Sequence, residues 1–129
     1  MNRTVTVGLG MLVVGAALGA AAVQTLYAQA KPPAFQIVEV TVNDQDGFSK
    51  EFLPAIAKVH QEVGGKFLAR GGKTVSFQGA APAPRIVLIQ YDNMEKLQAA
   101  LGSLAMKSAV AVGNKYATQR IYGVEGLAP

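Results

Sequence analysis

Cysteine and tryptophan are absent from the 129 residues, histidine occurs once, at His60, and only 16% of the side chains are charged. Without a thiol, disulfide frameworks, zinc ribbons, iron–sulfur clusters and cysteine nucleophiles are excluded. A single imidazole restricts any Ser-His-Asp triad to His60, and it leaves only scattered acids beside that residue, so no metal site can be composed. Runs of basic residues are missing too. The lysines and arginines from Lys31 to Arg120 stand singly, with no aromatic interleaving, so the footprint of a nucleic-acid binder is lacking despite a net charge of +4. No cofactor is called for, and no repeat of about 20 to 50 residues is present.

Apolar residues are abundant. They make up 50% of the chain and raise its mean hydropathy to +0.26, largely through the stretch from Val5 to Val23, which carries no charge and follows Arg3. Ala28 and Ala30 then place small residues three and one before a peptidase site at Lys31. This is the layout of a secretory signal peptide over residues 1–30. Residues 5–23 are also long enough for an uncleaved membrane anchor, which takes about 20 apolar residues. Cleavage is the expected outcome, giving an exported, periplasmic or secreted protein that meets a membrane only if the segment is retained.

The remaining length suits one domain, residues 35–129, behind a short proline-rich linker at residues 31–34. Phe35 to Val42 reads as a strand with Val38, Val40 and Val42 on one face and Ile37, Glu39 and Thr41 on the other. Asp44, Asp46 and Gly47 imitate part of a calcium loop, but the register puts Leu53 where a carboxylate is required. A turn capped by Asp46 is the better reading. Phe48, Phe52, Ile56, Val59 and Val63 then mark the apolar stripe of a helix, with a kink or restart expected at Pro54 and an end at Gly64-Gly65. Lys66 to Gln78 reads as one long strand, or two collinear pieces, bent at Gly71-Gly72. Arg85 to Tyr91 is a third strand, a helix broken at Gly102-Ser103 runs from Met94 to about Thr118, and Arg120 to Val124 is the last strand. The order β-α-β-β-α-β predicts an α+β, ferredoxin-like fold, an antiparallel sheet with both helices on one face. The uncovered face predicts a homodimer closing an α/β barrel.

The string Gly64-Gly65-Lys66-Phe67-Leu68-Ala69-Arg70-Gly71-Gly72 closely resembles the central block of the domain-of-unknown-function 1330 family. The flanking strands, Gly79 and Val124-Glu125-Gly126 follow in family order. The resemblance implies a dimeric α/β barrel akin to small cofactor-free monooxygenases and stress-induced barrel proteins, and no established reaction. It also implies a tyrosine and an arginine at positions held here by Met106 and Gly113; if that pair serves a ligand in relatives, this chain has lost it, or Lys115 or Tyr116 has taken over.

On the uncovered face, alternation brings Glu39, Arg70 and Gln90 together among Leu68, Ile86 and Leu88, a candidate pocket for a small polar or anionic molecule. The competing reading is a buried Glu39–Arg70 ion pair that fixes dimer register, or Arg70 held by carbonyls at the glycine bend. His60, at the edge of the helical stripe, and Tyr91 are weaker candidates, read first as a hydrogen-bonded core-edge residue and a packing aromatic with a wet hydroxyl. Two functions stay open: an exported small-molecule-binding barrel, enzymatic or not, and a non-catalytic envelope or stress-associated dimer with a packed interior.

Overall fold

Alternation along the first strand decides the architecture. In the computed structural model, which describes residues 30–129, strand β1 (Ala34–Val42) buries Ala34, Gln36, Val38 and Val40 and leaves Phe35, Ile37 and Glu39 half-buried on the other side. The expected signal segment lies, up to residue 29, outside the described residues. Among the described residues, no helix is long and apolar enough to cross a membrane.

Strands β2 (Lys66–Arg70), β3 (Arg85–Tyr91) and β4 (Ala117–Glu125) complete a four-stranded sheet in the order β2-β3-β1-β4. Every neighbouring pair is antiparallel, which with the intervening helices gives the ferredoxin-like α+β fold. Helix α1 is built in three consecutive segments, Gln45–Gly47, Phe48–Phe52 and Leu53–Val63; α2 (Met94–Gly102) and α3 (Leu104–Gly113) follow β3. Val38, Val40, Val87, Ile89, Phe48, Phe52 and Leu97 share the core between sheet and helices.

Local chemistry sets the helix ends. Asp44, not Asp46, caps α1, its carboxylate accepting from the Gly47 N–H at 3.1 Å; Asp46 instead pairs with Lys50 one turn on. Phe48–Phe52 is a π turn, and Pro54 falls in the first turn of the α segment that follows. Proline has no N–H to give, so the helix changes register just before it, and the widened turn directs both phenylalanines inward with ring centroids 5.0 Å apart. Asn93 caps α2, and Ser103 both ends α2 and caps α3. Helix α3 stops at Gly113 rather than near Thr118, because β4 already begins at Ala117 and pairs there with Val42.

The largest departure from expectation concerns the second strand. It ends at Arg70, and residues 71–84 form an exposed loop in place of a strand to Gln78. The irregularity lies not at Gly71-Gly72 but between Phe67 and Ala69, where Leu68 is an extra residue opposite the Ile89-Leu88 step of β3. A bulge of one residue inverts the facing of everything after it.

The four glycines of the block have different reasons. Gly64 ends α1 in the left-handed conformation, φ 79°. A Cβ on Gly65 would stand 3.0 Å from Ile89 and 3.1 Å from both His60 Nδ1 and Tyr91 Cζ. Gly71 combines φ 68° with a place directly under the Arg85 guanidinium, whereas a Cβ on Gly72 would meet open space. Gly65→Ala should therefore destabilise the fold by about 1–3 kcal/mol, and Gly72→Ala should stay within about 0.5 kcal/mol of wild type. Paired urea titrations check the contrast.

A candidate binding cavity between sheet and helices

The inner face of the sheet does not close completely on the helices. A cavity of about 290 Å³ remains between them, walled by Val38, Val40, Val87, Ile89 and Ile121 of the sheet, Phe48, Phe52, Ile56 and His60 of α1, and Met106 and Val110 of α3. Its size is at the lower end for small-molecule sites, and its walls are mostly apolar with a few polar groups, as such sites are.

Two of those groups are cations. Arg70 is exposed at the rim and its guanidinium lies 4.7 Å from the centre of the Phe67 ring; Arg85 is half-buried, 5.6 Å from that of Phe48. Both line the cavity. Among the described residues, neither forms an ion pair with a carboxylate. Burial first, and then the like charge of Arg70, lower the Arg85 pKa, but a guanidinium stays protonated in water. Two like charges beside an apolar hollow are an arrangement that an anion would relieve.

The other polar groups form a buried chain. The Tyr91 hydroxyl donates to Gln36 Oε1 at 3.1 Å and lies 3.2 Å from His60 Nδ1. All three residues are 2% exposed. Burial holds the His60 pKa down to about 4 and pushes Tyr91 up to about 12, so both are neutral near pH 7. Phe67 meets the imidazole edge-on with centroids 5.1 Å apart. Gln119 of β4 also reaches the cavity. No three His, Asp or Glu side chains gather as a metal site among the described residues.

The residues singled out from sequence are therefore split between two faces. Glu39 and Gln90 lie on the outer face, opposite Arg120 and Lys66 respectively. Arg70 lies on the inner face with Val87, because the extra residue at Leu68 reverses its facing. The expected Glu39–Arg70 pair is thus ruled out by the sheet between them. Glu39 instead accepts from Arg120 at 3.3 Å and from the Tyr122 hydroxyl at 3.2 Å. Nor is the Tyr91 hydroxyl wet, since β3 turns it into the core. His60 is a hydrogen-bonded core residue, as expected, but it also faces a cavity. Lys115 and Tyr116 do not line that cavity, and the Tyr116 hydroxyl donates to Glu51.

Sequence reasoning missed Gln36, Arg85 and Gln119. Alternation carried the signal for all three: Gln36 continues the face of Val38 and Val40, Arg85 that of Val87 and Ile89, and Gln119 that of Ile121. A polar residue on an otherwise apolar face was the clue.

The family model described as a domain of unknown function, DUF1330, matches residues 33–127. Among solved structures, a protein of unknown function from Rhodopseudomonas palustris superposes with a TM-score of 0.55 at 13% identity, over 83% of this chain and 93% of its own. SnoaB, a cofactor-independent oxygenase from Streptomyces nogalater, superposes with a TM-score of 0.50 at 9% identity, over 76% and 96% of the two chains. At such identities the likeness is one of fold. None of the curated proteins matches the chain.

The buried histidine gives the fold a pH dependence of definite sign. Its pKa of about 4 when folded lies below the ordinary 6.5, so the unfolded chain binds more protons between those values. The stability it contributes is complete above pH 6.5 and is lost as the pH falls towards 4. The loss should amount to roughly 2 kcal/mol once screening by water in the adjoining cavity is allowed for. Thermal melts should show a steeper decline over this window for wild type than for His60→Gln.

Proposed function

This chain belongs to the DUF1330 family, and from that premise we propose that it is an exported small-molecule-binding protein whose ligand has an apolar body and a carboxylate or similar anionic group. The observation that carries the reading is the pair of guanidiniums, Arg70 and Arg85, without carboxylate partners among the described residues, at an apolar cavity within one protomer. The apolar body takes the place of water against Val40, Phe52 and Ile89, and the anion neutralises the two like charges. Arginine suits that role through its planar fork of donors. The cavity lies within the single chain, between sheet and helices, and not in the barrel between copies whose packing defines the non-catalytic alternative.

Export rests on the apolar run and Ala28-Gln29-Ala30 alone. Dimerisation rests on the outer sheet face, where Phe35, Ile37, Ile86 and Leu88 are half-buried and Leu68, Tyr122 and Val124 are 44%, 41% and 51% exposed in the single chain. A second copy with the same face is the occupant that a self-complementary apolar sheet calls for.

Calorimetric titration with cinnamate and its uncharged amide tests the binding site. Wild type should prefer the acid by at least about tenfold, each of Arg70→Ala and Arg85→Ala should weaken acid binding about tenfold, and the double variant should lose the preference. Equal affinity for acid and amide, or no binding of either, refutes the site. A separate sedimentation run on protein recovered from outside the cytoplasm should give twice the monomer mass, with an N-terminus at Lys31. A monomer would overturn the dimer, and a membrane-bound chain keeping residues 1–30 would overturn cleavage.

A further inference from the structure

Resting on that reading, we propose that His60 is the second anchor of the cavity, accepting a hydrogen bond at Nε2 from a hydroxyl group of the ligand, so that the ligand class is a small hydroxylated carboxylic acid. One proton decides the polarity of the buried chain. A tyrosine hydroxyl has a single hydrogen, and that of Tyr91 is donated to Gln36 Oε1. The contact between the same hydroxyl and His60 Nδ1, at 3.2 Å, must then run the other way, with Nδ1–H donating to the tyrosine oxygen. In a neutral imidazole this fixes the proton on Nδ1 and leaves Nε2 with a free lone pair. His60 is neutral near pH 7 because burial disfavours its charged form.

His60 lines the cavity. Among the described residues, the hydrogen bonds of the imidazole comprise only the one to Tyr91, yet no buried side-chain nitrogen or oxygen is sealed off without a partner. Since the residue is 2% exposed and lines the cavity, the space its second nitrogen reaches is the cavity itself. An acceptor facing an apolar hollow discriminates strongly, because a ligand without a donor there leaves it unsatisfied.

The acceptor and the cations serve one occupant. The Phe67 ring has the imidazole edge-on at 5.1 Å and the Arg70 guanidinium at 4.7 Å, so a single phenyl group separates them. A molecule whose carboxylate reaches Arg70 and Arg85 therefore carries its apolar body past Phe67 and can present a hydroxyl to His60. Gln36 and Tyr91 do not touch that hydroxyl in this arrangement; they hold the tautomer that receives it.

The test uses the fact that the chain has one histidine, so its imidazole nitrogens give unambiguous signals. Long-range proton–nitrogen spectra of wild type at pH 7 should show a protonated Nδ1 and an unprotonated Nε2; a protonated Nε2 overturns the proposal. Titrations with 4-hydroxybenzoate and 4-hydroxycinnamate, each against its unsubstituted parent, should show at least one hydroxylated probe binding about tenfold more tightly and shifting the Nε2 resonance. In His60→Leu, with folding checked by circular dichroism, that hydroxyl preference should vanish while the preference for acid over amide persists. If this variant does not fold, the wild-type spectra and the matched probes decide. Equal binding within both pairs, still dependent on the arginines, overturns the role of His60 and leaves the carboxylate site standing. Failure of all four probes to bind overturns both.

Discussion

A phenol buried between a sheet and a helix must have its hydroxyl hydrogen-bonded, and the arrangement around Tyr91 follows from that requirement. Its partners come from different elements, Gln36 from β1 and His60 from α1, so the bonds tie the centre of the sheet to the end of the helix. They form only if α1 approaches closely where it gives way to β2. Gly65 permits the approach, since any side chain there would press on Ile89, His60 and Tyr91 together. Gly64 supplies the preceding left-handed turn, and its N–H and that of Gly65 are both directed to the His60 carbonyl. The first half of the nine-residue block is thus a device for seating a histidine.

The second half of the block places charge. Strand β2 is an edge strand, where an extra residue costs little because only one neighbour must adapt. By taking up Leu68 as a bulge it turns Arg70 inward beside Phe67, while Gly71 leaves room for Arg85 to lie across the returning chain. Both cations accordingly flank the cavity, and the carboxylate of Glu39 stays on the opposite face with Arg120 and Tyr122. Had the strand run without the bulge, Arg70 would share a face with Glu39 and the two could neutralise one another. The separation of charge across the sheet is what leaves the cavity positive.

This same bulge marks the limit of what the sequence discloses. The order of elements, the facing of β1 and β3, and the apolar stripe of α1 were all legible, because periods of 2 and 3.6 residues depend only on which residues are apolar. A single inserted residue in a five-residue strand leaves no such trace: Lys66, Phe67, Leu68, Ala69 and Arg70 alternate too weakly to show the slip. The block's glycines were recognised as a motif, but the reason for Gly65 is a contact with residues far along the chain, and local pattern contains no such information. His60 was ranked low for a related reason. Its value comes from Tyr91 and Gln36, which lie far from it in sequence, and a lone polar residue on a helical stripe looks the same whether it faces packing or a cavity.

The departures from the family pattern bear on the cavity as well. Met106 is 1% exposed and forms part of its wall. A Cβ on Gly113 would stand 2.6 Å from Gln119 and 2.7 Å from Phe52, both of which line it. A tyrosine and an arginine at these two positions would thus compete for the same space that α3 and β4 enclose here. The flexible thioether of Met106 and the bare backbone of Gly113 leave the α3 wall without a hydroxyl or a charge, and Phe52 and Gln119 settle against that backbone. What polarity the cavity retains then comes from the sheet and from α1: Gln36, Arg70, Arg85 and Gln119 on one side, His60 on the other. Much of the polarity at this cavity thus depends on the nine-residue block and the strand that follows it: Arg70 stands in the block, Arg85 opens β3, and Gly65 seats His60.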